Sequence, residues 1–192
     1  MADINQLKSE FGEVFAINFK GVEIVIKRPC WKNWLDFLKA AAQKKRAKET
    51  LVKSCLVSDE TEYKNLASKY PALPGIVVTK IKEIAGNEAE SSEVEIPDGK
   101  GIQVVIEGGQ FYERQEKISL KHMGYGEWRK FEDDQEDGGL NLASRPLVES
   151  CLLSPMEELV RILDSNPAYA HILARHLILD AGASEQATVK KL

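Results

Sequence analysis

The chain has 192 residues, of which 43% are hydrophobic and 29% charged, with a formal net charge of -4 at pH 7. This composition is typical of a globular protein, and the length suits one large domain or two small ones. No apolar run approaches a membrane span and the N-terminus lacks a secretory pattern, so we expect an intracellular protein or a component of an assembly, without membrane contact. The negative charge excludes the general basic character of many nucleic-acid-binding proteins but leaves room for a local basic patch.

The first part of the chain predicts a β-hairpin followed by helices. Apolar residues alternate over 14–19 and 22–27 on either side of a Lys-Gly pair, which is the pattern of a half-buried hairpin. Residues 31–47 then carry apolar side chains at spacings of three and four, which indicates an amphipathic helix. Further short helices should follow and end at Gly86, because glycine readily adopts the left-handed conformation at a helix C-terminus.

The second part of the chain predicts the same order of elements. Residues 87–101 are polar, acidic and rich in turn formers, and they predict a linker. A strand over 102–106, a Gly-Gly turn, a strand around Ile118 and an aromatic helix around Trp128 should follow. The acidic run 132–139 is expected to end that helix as a solvated loop.

The last two helices of the second part have their own start and stop signals. Ser154-Pro155 predicts a hydroxyl cap followed by proline at the first helical position. Gly182 is expected to end the final helix, as Gly86 does in the first part.

An internal repeat relates the two parts. A shift of 96 residues places LVKSCLVS of residues 51–58 on LVESCLLS of residues 147–154, and 12 of the 36 positions from 51 to 86 are identical. Upstream, the shift becomes 94 and places Trp34 on Trp128. Repeats of this kind indicate copies of one structural unit.

The alternative explanation of the repeat is two unrelated amphipathic helices of similar composition. The caps, the cysteine and the terminal glycine all keep the same register, which favours duplication. We therefore predict an α+β protein with two tandem related units, each a β-hairpin followed by short helices. The first unit would cover residues 1–86, an acidic linker 87–101, and a divergent second copy 102–192.

The residues that usually carry catalysis or bind metals form no convergent set in this sequence. His171 and His176 are five residues apart on one helix, about 140° around its axis, so they do not share a face. Cys55 and Cys151 occupy the same position in each copy, which favours buried thiols, and no CxxC pair indicates a zinc module. Gly124-Tyr125-Gly126 resembles the start of a dinucleotide-binding turn but lacks the third glycine. We expect no enzymatic activity, metal or cofactor.

The charged runs and the tryptophans are the candidates for partner binding. The basic run 44–48 could bind a nucleic-acid backbone, or it could be the solvated end of a helix whose cations favour the C-terminus. The second copy is acidic in the matching region 132–137, so the two copies could face one another or successive molecules could pack head to tail. The tryptophans could serve the core or an interface. The partner-binding candidates are Trp31, Trp34, Lys44, Lys45, Arg46, Trp128, Glu132, Asp133 and Asp134.

The order of motifs in the first copy resembles a known family. The hairpin ending in Lys27-Arg28-Pro29, the aromatic helix, the segment 51–58 and the run from Tyr70-Pro71 to Ala85-Gly86 are similar to the small tail assembly chaperones of long-tailed phages. They are also similar to the related baseplate hub assembly proteins of contractile-tailed phages. The resemblance covers residues 14–86 well and 111–182 loosely.

The resemblance implies a non-enzymatic morphogenesis protein whose partners are tail tube, tape measure or baseplate proteins, with self-association as well. Such a protein would act in the host cytoplasm during assembly, or remain in the virion tail or baseplate. This chain departs from the family in its tandem duplication, and its second copy has His122-Met123 in place of Arg28-Pro29. The duplication leaves room for a permanent structural role. A nucleic-acid-associated adaptor that uses the basic run 44–48 is the alternative function.

Overall fold

A computed structural model describes residues 4–109, 111–112 and 114–183. Within these residues the chain is a mixed α+β protein with nine helices and two antiparallel sheets, one of two strands and one of three. None of the described helices is long and apolar enough to cross a membrane. The predicted fold class, two related units each with a hairpin followed by helices, is confirmed.

The first unit contains one hairpin and five helices. They are α1 (Ile4–Phe11), β1 (Val14–Phe19), β2 (Val22–Lys27), α2 (Trp31–Ala42), α3 (Ala47–Cys55), α4 (Glu60–Lys69) and α5 (Leu73–Ile84). The second unit contains a three-stranded sheet and four helices. They are β3 (Ser91–Glu95), β4 (Gly101–Ile106), β5 (Glu116–Lys121), α6 (Tyr125–Gly138), α7 (Leu140–Ser150), α8 (Met156–Ser165) and α9 (Tyr169–Asp180).

The first hairpin has the tight turn that its sequence predicts. Lys20 and Gly21 both have positive φ, at 50° and 79°, as a two-residue type I′ turn requires. The turn sets Phe19 opposite Val22. The hairpin therefore folds at the Lys-Gly pair.

The same long-range pairing recurs in both units. After α3, Leu56 forms an antiparallel bridge with Ile26 of β2, and after α7, Leu152 forms the same bridge with Leu120 of β5. Equivalent strand residues, Ile26 and Leu120, are 94 positions apart, whereas Leu56 and Leu152 are 96 apart. The second unit therefore has two additional residues between its strand and the segment after α7. Residues 43–46 connect α2 with α3, whereas Gly139 alone separates α6 from α7.

A serine hydroxyl fixes this pairing in each unit. Ser58 Oγ accepts a hydrogen bond from the Val25 amide of β2 at 2.7 Å, and Ser154 Oγ accepts one from the Ser119 amide of β5 at 2.9 Å. The prediction that Ser154 caps α8 is therefore wrong, because its hydroxyl binds the strand and Pro155 occupies the N-cap position.

Each unit has its own apolar core. The hairpin, α2, α3 and α5 form the core of the first unit, and the three-stranded sheet and α6 to α9 form that of the second. One helix differs between the units: α4 buries none of its side chains, whereas α8 buries Leu159, Ile162 and Leu163.

Three segments differ from the sequence prediction. The linker 87–101 contains β3, which pairs with β4. The acidic run expected as a loop is helical, because α6 continues to Gly138. The helix expected over 31–47 ends at Ala42, and Lys44 adopts a positive φ of 52° in the connection to α3.

Candidate functional site

The two units pack against each other through Arg28, which follows β2. Its guanidinium donates hydrogen bonds to the Ile84 carbonyl of its own unit at 2.8 Å and to Asn166 Oδ1 of the second unit at 3.1 Å. It also donates to the Phe111 carbonyl at 2.5 Å and pairs with Glu13. The side chain is 13% exposed. A planar fork of donors is suited to satisfy several carbonyls at once.

Close backbone contact surrounds this arginine. The Ala168 amide donates to the Ala85 carbonyl at 3.2 Å. Gly86 has a φ of 91°, and a Cβ at this position would overlap the ring of Tyr169. The Tyr112 hydroxyl donates to the Glu83 carbonyl at 3.1 Å. The end of α5 is thus enclosed by the second unit.

Helix α2 forms the other part of the contact, because it lies against α7 and α8 of the second unit. The Arg145 guanidinium sits over the Trp31 ring at 4.7 Å from its centroid. Trp31 contacts both apolar cores, and Leu142 of α7 packs on the first core. The units therefore meet through different surfaces of the same fold, which is a heterologous rather than a twofold contact.

The three tryptophans have different positions. Trp34 is only 6% exposed and belongs to the first core, so in this fold it does not present a binding surface. Trp31 is half-buried between the units. Trp128 is half-buried on the second core, with its ring 5.8 Å from that of Phe131. All three tryptophans thus contact an apolar core of the chain, and Trp31 and Trp128 also keep part of their surface exposed.

The basic and acidic candidates are separate in the structure. Lys44, Lys45 and Arg46 are exposed in the connection after α2. Glu132 and Asp133 are exposed on α6, and the neighbouring Asp134 is half-buried. Among the described ion pairs none joins the two runs, and the only pair involving the basic run is that of Arg46 with Glu49.

The prediction from the sequence did not include an exposed apolar surface on the second unit. Leu153, Met156 and Val160 are 49%, 43% and 38% exposed. Met156 and Val160 are four residues apart in α8 and share one side of it. We call these three residues the α8 ridge. The apolar spacing within α8 could have indicated it, but the spacing alone does not separate buried from exposed positions.

A groove of 640 Å³ lies on the equivalent part of the first unit, between α3 and α4. Apolar atoms of Val52, Leu56, Tyr63, Ala67 and Pro74 line it, together with two basic and two acidic side chains, Lys53, Lys64, Glu49 and Glu60. The Tyr63 hydroxyl is buried without a hydrogen-bond partner within the described residues. We call this the α3/α4 groove.

Two of the three histidines, His176 and His122, hold elements together. His176 of α9 lies within hydrogen-bond distance of Ser91 and Glu93 of β3, at 2.9 and 2.5 Å. His122 pairs with Asp180 at 2.9 Å, and this contact raises the pKa of His122. No group of three or more metal-ligating side chains is found in the part of the chain that is described.

The two repeated cysteines are buried, as the sequence predicts. Cys55 and Cys151 have no exposed surface. Burial raises the pKa of the Cys55 thiol to about 11 and that of Cys151 in the same direction. Cys30 is exposed. The repeated thiols therefore act as small apolar side chains rather than nucleophiles.

The segment Gly124-Tyr125-Gly126 lies at the start of α6, beside an ion pair. Gly124 is the N-cap residue of α6, and Glu127 in its first turn binds Lys121 at 2.5 Å. This ion pair and its hydrogen bond lower the pKa of Glu127. Tyr125 is 78% exposed. A carboxylate therefore stands where a dinucleotide-binding turn would place a phosphate.

Comparison with known proteins gives little further information. No protein-family model matches the chain, and no curated protein matches it. One similar solved structure is an uncharacterised protein, rbstp2171, from Bacillus stearothermophilus, with 26% sequence identity and a TM-score of 0.41. The match covers 47% of this chain and 98% of that chain.

Proposed function

We propose that the protein is a non-enzymatic morphogenesis protein of a phage tail or baseplate, or of a phage-tail-like particle, and that it acts through protein-protein contacts. The α8 ridge carries this proposal. Three exposed apolar side chains within eight residues of sequence are unfavourable in water, and exposed apolar surfaces commonly bind other proteins. Methionine is well suited to such a surface because its flexible side chain adapts to the partner.

The first unit supplies an internal comparison for the ridge. At an offset of 96, Met156 and Val160 correspond to Glu60 and Lys64, which form an exposed ion pair at 2.8 Å on α4. The same position of the fold therefore tolerates a fully polar surface. The apolar side chains on α8 are not required by the fold, and this favours a role in binding.

The sequence resemblance supports the choice of partner. It points to tail tube, tape measure or baseplate proteins, bound either by a chaperone during assembly or by a component that stays in the particle. Mass spectrometry of purified particles distinguishes the two roles: a chaperone is absent, and a component is present at a fixed copy number.

Co-purification with tail and baseplate proteins encoded beside this chain tests the proposal. M156E/V160K installs on α8 the ion pair that α4 already carries, so the variant should fold and lose the partner. L179K is the matched control, because Leu179 is 39% exposed on α9 and lies outside the ridge. Binding of a tail protein that survives M156E/V160K, or absence of any such binding by the wild type, contradicts the proposal.

A salt titration with DNA or RNA tests the alternative, a nucleic-acid adaptor using Lys44, Lys45 and Arg46. Contacts with phosphate weaken steeply as salt rises. Tight binding at low salt that disappears in K44E/K45E/R46E would favour the adaptor over the tail protein.

A further inference from the structure

The two units contact each other through different helices of the repeat. The equivalent helices in the other copy are left without such a contact. The first unit contributes α2, and the second contributes α7 and α8. In the repeat, α6 corresponds to α2, and α3 and α4 correspond to α7 and α8. Within the residues that the structure describes, no hydrogen bond or ion pair joins α6 to α3 or α4. A heterologous contact can continue from one molecule to the next.

The α3/α4 groove has the features of an uncovered interface. On the second unit, α2 lies over the equivalent helices and α8 buries three apolar side chains. On the first unit, no side chain of α4 is fully buried, and the groove exposes apolar atoms of Val52, Leu56 and Tyr63. The buried, unpartnered hydroxyl of Tyr63 leaves a hydrogen bond to be made there.

The other surface of the second unit has an exposed aromatic side chain. At an offset of 94, Tyr125 at the start of α6 corresponds to Trp31 at the start of α2. Trp31 is half-buried between the units, whereas Tyr125 is 78% exposed. Tyrosine is a common anchor of protein interfaces.

The charges of the two open surfaces are complementary. Helix α6 carries six acidic and two basic residues, a net charge of -4, and residues 44–69, which include α3 and α4, carry seven basic and four acidic residues, a net charge of +3. The charges that line the groove itself are balanced, two lysines and two glutamates, so the surplus positive charge lies around the groove. By contrast, residues 140–165 at the equivalent site of the second unit carry two basic and four acidic residues, a net charge of -2. Like charges would repel α6 from that site, so the charges favour one arrangement.

We propose that α6 of one molecule binds in the α3/α4 groove of a second copy, so that successive chains continue head to tail the contact that joins the two units. Tyr125 would take the place that Trp31 has inside the chain, and Glu132, Asp133 and Asp137 would face the lysines in and around the groove. This inference does not depend on the tail or baseplate proposal, because the α8 ridge lies on the second unit and the groove on the first.

Light scattering on a size-exclusion column tests self-association of the full chain. We expect concentration-dependent oligomers at low salt that dissociate as salt rises. Variant A, E132K/D133K/D137K, reverses charges on α6, and variant B, K53E/K64E, reverses them at the groove. Each alone should weaken self-association by about tenfold or more, because like charges then face one another. The control E95K makes the same change on exposed Glu95 of β3 and should associate as the wild type does.

Mixing variants A and B gives the decisive measurement. In the mixture, the unchanged groove of A can bind the unchanged acidic α6 of B. The reversed, acidic groove of B can likewise bind the reversed, basic α6 of A. The mixture should therefore recover oligomers that neither variant forms alone. Circular dichroism confirms that both variants are folded. A wild type that stays monomeric at low salt, or a mixture that stays monomeric, overturns the proposal. M156E/V160K should leave self-association intact, which separates this result from failure of tail-protein binding.

Discussion

The guanidinium of Arg28 in the first unit donates a hydrogen bond to the side-chain oxygen of Asn166 in the second unit, at 3.1 Å. The same side chain binds the Ile84 carbonyl at 2.8 Å. One arginine therefore ties the end of its own last helix to the corner between α8 and α9, and the relative position of the two units depends on it.

Replacement of Arg28 should destabilise the whole chain. R28A leaves partly buried carbonyl oxygens without donors, and we expect a loss of about 3 kcal/mol in the free energy of unfolding, measured by urea denaturation. R28K should recover only part of the loss, since one ammonium cannot reproduce the fork. The control R46A removes the pair with Glu49, in which both side chains are exposed, and should change stability by less than about 1 kcal/mol. Equal effects of R28A and R46A would disprove the role of Arg28.

Gly86 and Gly182 form a matched pair for a second prediction. Both have positive φ, 91° and 83°, but Gly86 faces the Tyr169 ring, whereas no atom of residues 4–109, 111–112 and 114–183 lies within 4 Å of a Cβ at Gly182. G182A should destabilise by about 1 kcal/mol through the backbone alone. G86A should cost about 3 kcal/mol, because the ring must also move in a packed contact. Thermal unfolding compares the two variants, and equal shifts in melting temperature would contradict the contact described for Gly86.

Ser58 and Ser154 should contribute equally to stability, because they make the same hydrogen bond in each unit. S58A and S154A each leave a strand amide without its acceptor, and we expect a loss of about 1 to 2 kcal/mol for either one. S68A is the control, because Ser68 is exposed on α4 and its hydroxyl donates to the Lys64 carbonyl of its own helix. A large effect in one unit and none in the other would show that the repeated bond is not equivalent.

The ion pair of His122 with Asp180 predicts a pH dependence of stability. Because the contact raises the pKa of His122 above its ordinary 6.5, the stabilisation is fully present below that ordinary value and is lost as pH rises through the raised pKa. H122Q and D180N should therefore reduce stability at pH 5.5 and have little effect at pH 8.5. The loss should be below about 1 kcal/mol, since the pair is partly exposed. Denaturant titrations at both pH values test it, and a loss of equal size at the two would refute the assignment.

The sequence predicted the repeated parts of the fold well. The register from Leu51 to Gly86 places a serine, a cysteine and a terminal glycine at equivalent positions, and the structure repeats the bridges made by Leu56 and Leu152. Local patterns determine these elements, because apolar periodicity and glycine conformation act within a few residues.

The segments predicted wrongly depend on distant contacts. Ser91–Glu95 has one apolar residue among polar ones, so its own pattern does not indicate a strand, and it becomes β3 by pairing with β4. The acidic run is part of α6, because glutamate is a good helix former. The helix continues until Gly139, the first residue after its start that adopts a positive φ. Charge density alone was a poor sign of a loop.

The contact between the units and the two open surfaces could not be found from the sequence. Arg28 stood out only through the resemblance to a family, and nothing local shows that it reaches Asn166, which is 138 residues away. Likewise, Met156 and Val160 fit a buried helix as well as an exposed ridge. Long-range packing decides both.

The bridges made by Leu56 and Leu152 also protect the sheets from aggregation. A strand at the edge of a sheet presents free amides and carbonyls to which other chains can add. In each unit the segment after the α3 or α7 helix covers one such edge, at β2 or β5. At the far edge of the larger sheet, β3 carries exposed Glu93 and Glu95, whose charges oppose the addition of another strand. Three of the four sheet edges, those of β2, β5 and β3, are therefore unfavourable sites for the addition of a strand from another molecule.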